Sequence, residues 1–293
     1  MKATLAAAAI DWYDENARDL PWRHPGVSPW AILVSEIMLQ QTPVARVLPV
    51  WRAWLDRWPK PAALAADTPA AAIRMWGRLG YPRRALRLHE CAVALVERHA
   101  GRVPDRLDEL LALPGVGGYT ARAVAAFAYG QRHPVVDTNV RRLIARAVTG
   151  APDAGPTTRA ADLAATERLL PAEPARAARA SAAFMELGAL VCTARTPRCA
   201  ACPLVTVCAW RAAGRPAPTG PSRRPQPYAG TDRQVRGRLL AVLREASGPV
   251  SRERLDPVWA DAAQRARALA GLVADGLVEP VGDDAYRLAG DGA

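Results

Sequence analysis

Residues 104–124 read PDRLDELLALPGVGGYTARAV. Asp105 is placed to cap a helix running to Leu113. The chain then turns through Pro114, Gly115, Val116, Gly117 and Gly118 into a second helix starting near Tyr119. Glycines serve such a turn twice. They permit positive φ, and they leave backbone N–H groups at a helix start open to a phosphate. A tight corner between two helices needs no more than this, so the hairpin by itself is compatible with plain packing. Its company decides otherwise: a strongly basic chain and a loop of four thiols favour a helix-hairpin-helix, a sequence-independent grip on the DNA backbone through Gly115, Gly117 and Gly118.

The surrounding text is helical. Apolar residues recur at helical spacing in WAILVSEIMLQQT, PAAAIRMWGRLG, RALRLHECAVALVERH, TNVRRLIARAV and RAARASAAFMELGALV, with turn residues between them. Period-two runs are scarce before residue 270, so the first 210 residues are expected to be all-α. From Arg211 the stretch RAAGRPAPTGPSRRPQPYAG is rich in proline, glycine and arginine and reads as a linker over 211–230. A small module over 231–293 follows, with two helices and then an extended pair around LVEPVGDDAYRLA, an order that resembles a winged helix; a plain interaction domain fits the same pattern.

The 293 residues are enough for about two domains. A net charge of +11 and a pI near 10.2 suit a polyanionic partner, although arginine is used so freely that part of the basicity reads as compositional habit. Only two of the 39 basic residues are lysines, Lys2 and Lys60, and neither sits where a buried Schiff-base lysine would. The opening MKATLAAAAIDWYDE is too short in its apolar run for a secretion signal, and nowhere does an apolar run reach the ~20 residues that span a bilayer. The sequence therefore reads as a cytoplasmic, nucleoid-associated protein with no membrane partner.

In a reducing compartment the thiols stay reduced, which argues against a disulfide framework for CTARTPRCAACPLVTVC. Cys192, Cys199, Cys202 and Cys208, spaced C-x6-C-x2-C-x5-C, more often ligate a metal. Spacing alone does not name it. A zinc ribbon offers two C-x2-C knuckles well apart, whereas one knuckle with two longer arms in a single loop suits an iron–sulfur cluster better. The fifth cysteine, Cys91, lies in a helical stretch and is expected to be buried filler.

Two carboxylates stand in contrasting surroundings. Glu36 belongs to WAILVSEIMLQQTPV, a helix apolar around most of its circumference, with Gln40 one turn on and on the same side. Desolvation there should raise its pKa and let it act as a general acid. Asp137 stands at a helix start beside Arg141 and Arg142, which should favour its ionised form. One group that keeps a proton and one that expels it form the pattern that breaks glycosidic bonds. Taken singly, Asp137 is also an ordinary N-cap and Glu36 an ordinary helix charge.

Together, LPWR (Leu20–Arg23), SEIMLQQT (Ser35–Thr42), GRLGYPRRA (Gly77–Ala85), LPGVGGYTA (Leu113–Ala121), VVDTNVRR (Val135–Arg142) and the cysteine loop resemble the MutY adenine DNA glycosylases of the endonuclease III superfamily. The matches span roughly residues 10 to 210, in order. The resemblance implies a two-lobed helix-hairpin-helix glycosylase with a [4Fe-4S] cluster on the four cysteines. One lobe would comprise 1–24 and 131–210 and bear the cluster; 25–130 would form a helical bundle with the hairpin. It implies that Glu36 protonates adenine and Asp137 stabilises a cationic sugar, with Tyr119 and Asn139 lining that site. Arg18, Leu20, Trp22 and Arg23 would form part of the adenine pocket. Gln41 and Tyr81 would wedge into the base stack beside Gln40, Thr42 and Leu79. The expected substrate is duplex DNA with adenine opposite 8-oxoguanine or guanine, handled by a monomer. The superfamily's lyase branch carries a lysine where Tyr119 stands, so release of adenine without strand cleavage is expected.

The sequence departs from the family at three places. Thr138 stands where many relatives have glycine, and Ala182 where a glutamine or glutamate would reach the adenine. The stretch after the linker is also too short for the MutT-like domain that reads 8-oxoguanine. Two other readings remain at this stage: an endonuclease III-type pyrimidine enzyme, and a non-enzymatic iron–sulfur regulator whose winged helix reads an operator.

Overall fold

A computed structural model describes residues 2–155, 157–218 and 228–292. Helices dominate, in the order α1 Lys2–Asn16, α2 Pro29–Leu39, α3 Val44–Arg57, α4 Pro61–Ala65, α5 Pro69–Trp76, α6 Arg83–His99, α7 Leu107–Leu111 and α8 Gly118–Tyr129. They continue as α9 Thr138–Ile144, α10 Ala160–Glu167, α11 Pro174–Leu190, α12 Ala209–Ala212, α13 Asp232–Glu245, α14 Arg252–Leu255 and α15 Ala262–Ala274. Three short strands, β1 Val250–Ser251, β2 Val278–Val281 and β3 Ala285–Leu288, form an antiparallel sheet in the order β1-β3-β2. Pro280 pairs opposite Tyr286 on the edge strand β2, where a missing N–H breaks no ladder. No helix among the described residues is long and apolar enough to cross a membrane.

The chain divides into two compact units. The first comprises the chain up to Leu33, Asp105–Ala112, and the stretch from Val116 through the cysteine loop. Its core gathers Leu5, Ala9 and Tyr13 of α1, Val140 and Leu143 of α9, and Phe184 and Leu187 of α11. Alanine lines much of α11 because that helix lies close to α1, α8 and α9, and small side chains allow the approach.

The second unit comprises Val34–Pro104, Leu113–Gly115 and the chain from Tyr228 onward. Trp54 packs edge-to-face on Trp58 and Trp76, with ring centroids 4.6 and 5.8 Å away. Helix α6 turns Leu88, Cys91, Ala92 and Leu95 inward at helical spacing, and burial pushes the Cys91 thiol up to about 12. Residues after Tyr228 do not hang on a free tether. Val235, Leu239, Leu269 and Leu288 share one apolar core with Ala70 and Ile73 of α5, and Leu86 of α6 packs against it. Of the expected linker, Arg211 and Ala212 end helix α12, and residues 219–227 lie outside the described residues.

The hairpin differs in detail from its sequence reading. Helix α7 starts two residues after Asp105, with Arg106 in the cap position, and stops at Leu111. The Asp105 carbonyl instead accepts a bond from the Gln131 side chain, 2.9 Å away. Gly115 adopts φ +76°, and a Cβ there would fall 2.7 Å from the Arg87 Cβ. Gly117 has φ −92°, and a Cβ on it would meet nothing within 4 Å. Gly115→Ala should therefore cost about 1–3 kcal/mol of stability. Gly117→Ala should cost less than about 1 kcal/mol, the price of a poorer cap. Urea unfolding midpoints measure both.

Candidate active site

Asp137 caps α9 and is held on both oxygens. Oδ1 accepts from the Val140 N–H at 2.7 Å, and Oδ2 from Asn139 Nδ2 at 2.8 Å. Asn139 in turn accepts from Arg142 Nη2 at 2.8 Å, which fixes the orientation of its amide. Arg142 also donates to the carbonyls of Gly188 and Cys192, each at 2.7 Å. One guanidinium thus ties the carboxylate's partner, α11 and the first cysteine together. Gly188 is required where α11 crosses α9, because a Cβ on it would lie 2.6 Å from the Asn139 carbonyl oxygen.

The electrostatics of Asp137 differ from the sequence expectation. Burial raises its pKa above the ordinary aspartate value, outweighing the bonds from Val140 and Asn139 and the Arg142 charge that pull it down. Arg141, counted on as a neighbouring charge, turns away to Asp162 and to the carbonyls of Ala154 and Gly155. Thr138, in the place of a family glycine, is the first residue of α9.

Tyr119 lies in the first turn of α8, its hydroxyl 4.0 Å from the Met185 sulfur, and packs beside Ala123, Val135 and Ala178. Leu20 and Trp22 are buried at the short turn Pro21–Arg23. Arg18 and Arg23 converge on Glu186, a residue the sequence reading missed. Arg18 grips it with Nε and Nη2 at 2.7 and 2.8 Å, and Arg23 adds a bond at 2.8 Å. Burial alone would raise the Glu186 pKa, but the two arginines hold it down to about 2. A signal was available: a lone carboxylate, four residues after Ala182, in the otherwise apolar stretch AFMELGALV. Ala182 itself is half-buried and offers no polar atom to a base.

In the second unit, Glu36 is buried in α2 among Ser35, Ile37 and Met38. Gln40 is not one turn along the same helix, since α2 ends at Leu39 and Gln40 begins the turn that follows. Gln41 and Tyr81 both adopt positive φ, +55° and +48°, a region that side-chain-bearing residues rarely enter. Both are exposed, whereas Thr42 and Leu79 are buried and Thr42 Oγ1 lies 3.3 Å from the Leu79 carbonyl. Arg84, also missed, staples the two loops together. It donates to the carbonyls of Ile37, Met38 and Gln40 and to Thr42 Oγ1, and it reaches the Gly80 carbonyl at 3.0 Å. Desolvation pushes its pKa down to about 10, so it stays charged at neutral pH.

Cys192, Cys199, Cys202 and Cys208 are unpaired, half-buried, and line a single pocket with Leu143, Ala147 and Trp210. Arg146, in a π turn Ala145–Thr149 after α9, approaches the Cys192 sulfur at 3.6 Å and stacks over Trp210. Among the described residues no three His, Cys, Asp or Glu side chains are grouped to hold one metal ion.

The profile of the HhH-GPD superfamily of base excision DNA repair proteins matches residues 34–169. A solved thymine-DNA glycosylase superposes with a TM-score of 0.66 at 26% identity, over 72% of this chain and 97% of that one. The class is thus a helix-hairpin-helix DNA glycosylase. An adenine DNA glycosylase of Mycolicibacterium smegmatis is 60% identical over 97% of this chain and 95% of its own, so the match runs into the C-terminal module. The adenine DNA glycosylase of Homo sapiens is 39% identical over 68% of this chain and 38% of its own. The chain belongs to the adenine DNA glycosylases of the endonuclease III superfamily, enzymes of base excision repair that act on DNA. That sets aside the pyrimidine-enzyme and regulator readings.

Glu186 makes the site's pH dependence testable. Its folded pKa lies below that of a free carboxyl, so its contribution is fully present above the ordinary carboxylate range and is lost as pH falls toward about 2. About 1–3 kcal/mol is expected, allowing for solvent screening at Arg18. Glu186→Gln should flatten the acid limb of a stability-against-pH curve over that window.

Proposed function

We propose that this glycosylase is monofunctional and excises adenine opposite 8-oxoguanine or guanine, leaving an abasic site and an intact strand. The observation that carries this reading is a pair of carboxyls in chemically distinct settings: Glu36, buried in its apolar helix, and Asp137, half-buried and bonded on both oxygens. Glu36 protonates the departing base, which turns a poor leaving group into a good one. Asp137 faces the sugar as it becomes cationic. A carboxylate raised in pKa by burial lacks a full counter-charge in the resting enzyme, so it gains most when positive charge develops beside it. Asn139 holds that carboxylate in place, with its amide locked by Arg142.

Tyr119 and the scarcity of lysine support the absence of a Schiff-base step. Arg18, Leu20, Trp22 and Arg23 shape the adenine pocket, and Glu186 keeps its two arginines aligned. Gln41 and Tyr81 enter the stack when the base is flipped out, and their strained backbones project them for that task. Gly115, Gly117 and Gly118 hold a phosphate at the start of α8.

The four cysteines fit a [4Fe-4S] cluster: no disulfide joins them, they share one pocket with largely apolar walls, and Arg146 lies beside a sulfur to offset thiolate charge. The cluster would cross-link the loop after α11. We further read the C-terminal module as a winged helix, supported by its element order and its β1-β3-β2 sheet, and the protein as a monomer.

A single-turnover assay on adenine opposite 8-oxoguanine, with half of each sample treated with alkali, tests the reading. Breaks should appear only after alkali. Glu36→Gln should slow release by about 10²–10⁴-fold while duplex binding persists. Breaks without alkali, or activity surviving that substitution, would refute the mechanism.

A further inference from the structure

The module after Tyr228 carries nine arginines against ten acidic residues, so the positive charge of the protein lies elsewhere. Its β2–β3 turn, Gly282-Asp283-Asp284, presents two exposed carboxylates. A surface of that balance does not attract a polyanion. What the module does instead is hold one short helix.

Helix α5 buries Ala70 and Ile73 in the core of the module. Arg74, in its last turn, donates from Nε to the Arg244 carbonyl at 3.3 Å and from Nη2 to the Ala246 carbonyl at 3.0 Å. Its Nη1 meets Asp291 at 2.9 Å. Arg244 answers with a bond from Nε to the Ile73 carbonyl at 3.0 Å. At the other end of α5, Gly290 sits so close that a Cβ on it would come within 2.8 Å of Pro69. Past the following loop, Arg83 at the start of α6 pairs with Asp275 at 3.3 Å.

The segment enclosed between these anchors is Gly77–Tyr81. Trp76, two residues after Arg74, donates its indole N–H to the Gly80 carbonyl at 3.0 Å. Tyr81 follows with positive φ and half of its surface open. A side-chain-bearing residue persists in that conformation only while its surroundings over-determine it. A residue that must unstack a base pair also has to be held rigidly, or the effort deforms the loop instead of the DNA.

We infer that the C-terminal module is a brace for the wedge: Arg74, Arg244 and Asp291 are positioning residues that hold the loop so that Tyr81 projects. The inference rests on the proposed wedge role of Tyr81. It gives the module a part in base extrusion, with no direct contact to the lesion.

Point variants of the full chain are the appropriate test, because deleting the module would strip the core from α5. The readout is the fluorescence of 2-aminopurine next to a non-cleavable adenine analogue opposite 8-oxoguanine, together with single-turnover release from a cleavable duplex. Arg74→Ala and Asp291→Asn should each diminish the fluorescence rise and slow release by about tenfold or more. Release of adenine opposite an abasic site, where stacking is already loose, should slow by less than about twofold. Asp291→Glu should restore much of the loss. If Arg74→Ala does not fold, Asp291→Asn carries the test, since it leaves the carbonyl bonds of Arg74 in place. Equal losses on both substrates, or an unchanged fluorescence rise, would overturn the brace. Tyr81→Ala separates the two levels. A rise that survives Tyr81→Ala defeats the wedge reading and the brace with it. A rise lost in Tyr81→Ala but intact in Arg74→Ala and Asp291→Asn defeats the brace alone.

Discussion

The Arg142 guanidinium is the constraint on which the arrangement around Asp137 depends. It is a nearly buried cation, with desolvation lowering its pKa, and it survives there because Asn139, Gly188 and Cys192 each offer it an oxygen. Those three acceptors belong to α9, α11 and the cysteine loop. Asn139 is thereby left with its amide N–H groups toward Asp137, which holds that carboxylate in place. The same closeness forces glycine at 188, so a steric requirement and an electrostatic one meet at one crossing.

This use of arginine recurs. Arg84 binds five oxygens around two loops, Arg74 joins α5 to the C-terminal module, and Arg146 bonds to the carbonyls of Pro152, Thr193 and Ala194 beside the cysteines. A planar fork with five donors can satisfy several carbonyls at once and remains charged when desolvated, which an ammonium on a flexible stem does not do as well. Much of the arginine content is therefore structural mortar. The net charge of +11 overstates what the protein can present to DNA, and it is unevenly placed, since the last sixty-odd residues contribute none of it.

Strain in the second unit has a similar logic. Gln41 and Tyr81 adopt left-handed backbone conformations directly after Gln40 and Gly80, whose carbonyls accept bonds from Arg84 and Trp76, and beside them Thr42 and Leu79 are buried as a footing. Stiffness at exposed loop tips comes from buried residues behind them, and the energy that keeps the tips unfavourably folded is supplied by that packing.

The sequence by itself determined whatever depends on near neighbours: the helices, from apolar spacing; the hairpin corner, from its glycines; the thiol loop, from its spacing; and the burial of Glu36, from its apolar helix. Only the tertiary structure decided the features that depend on distant partners. Glu186 meets Arg18 across 168 positions, and Arg74 meets Asp291 across 217, and no local pattern encodes such pairings. Asp137 shows the limit most clearly. Its sequence neighbours promised two positive charges, yet Arg141 turned elsewhere and burial set the direction of its pKa. Electrostatics follow distance and desolvation in space, and those quantities exist only once the chain has folded.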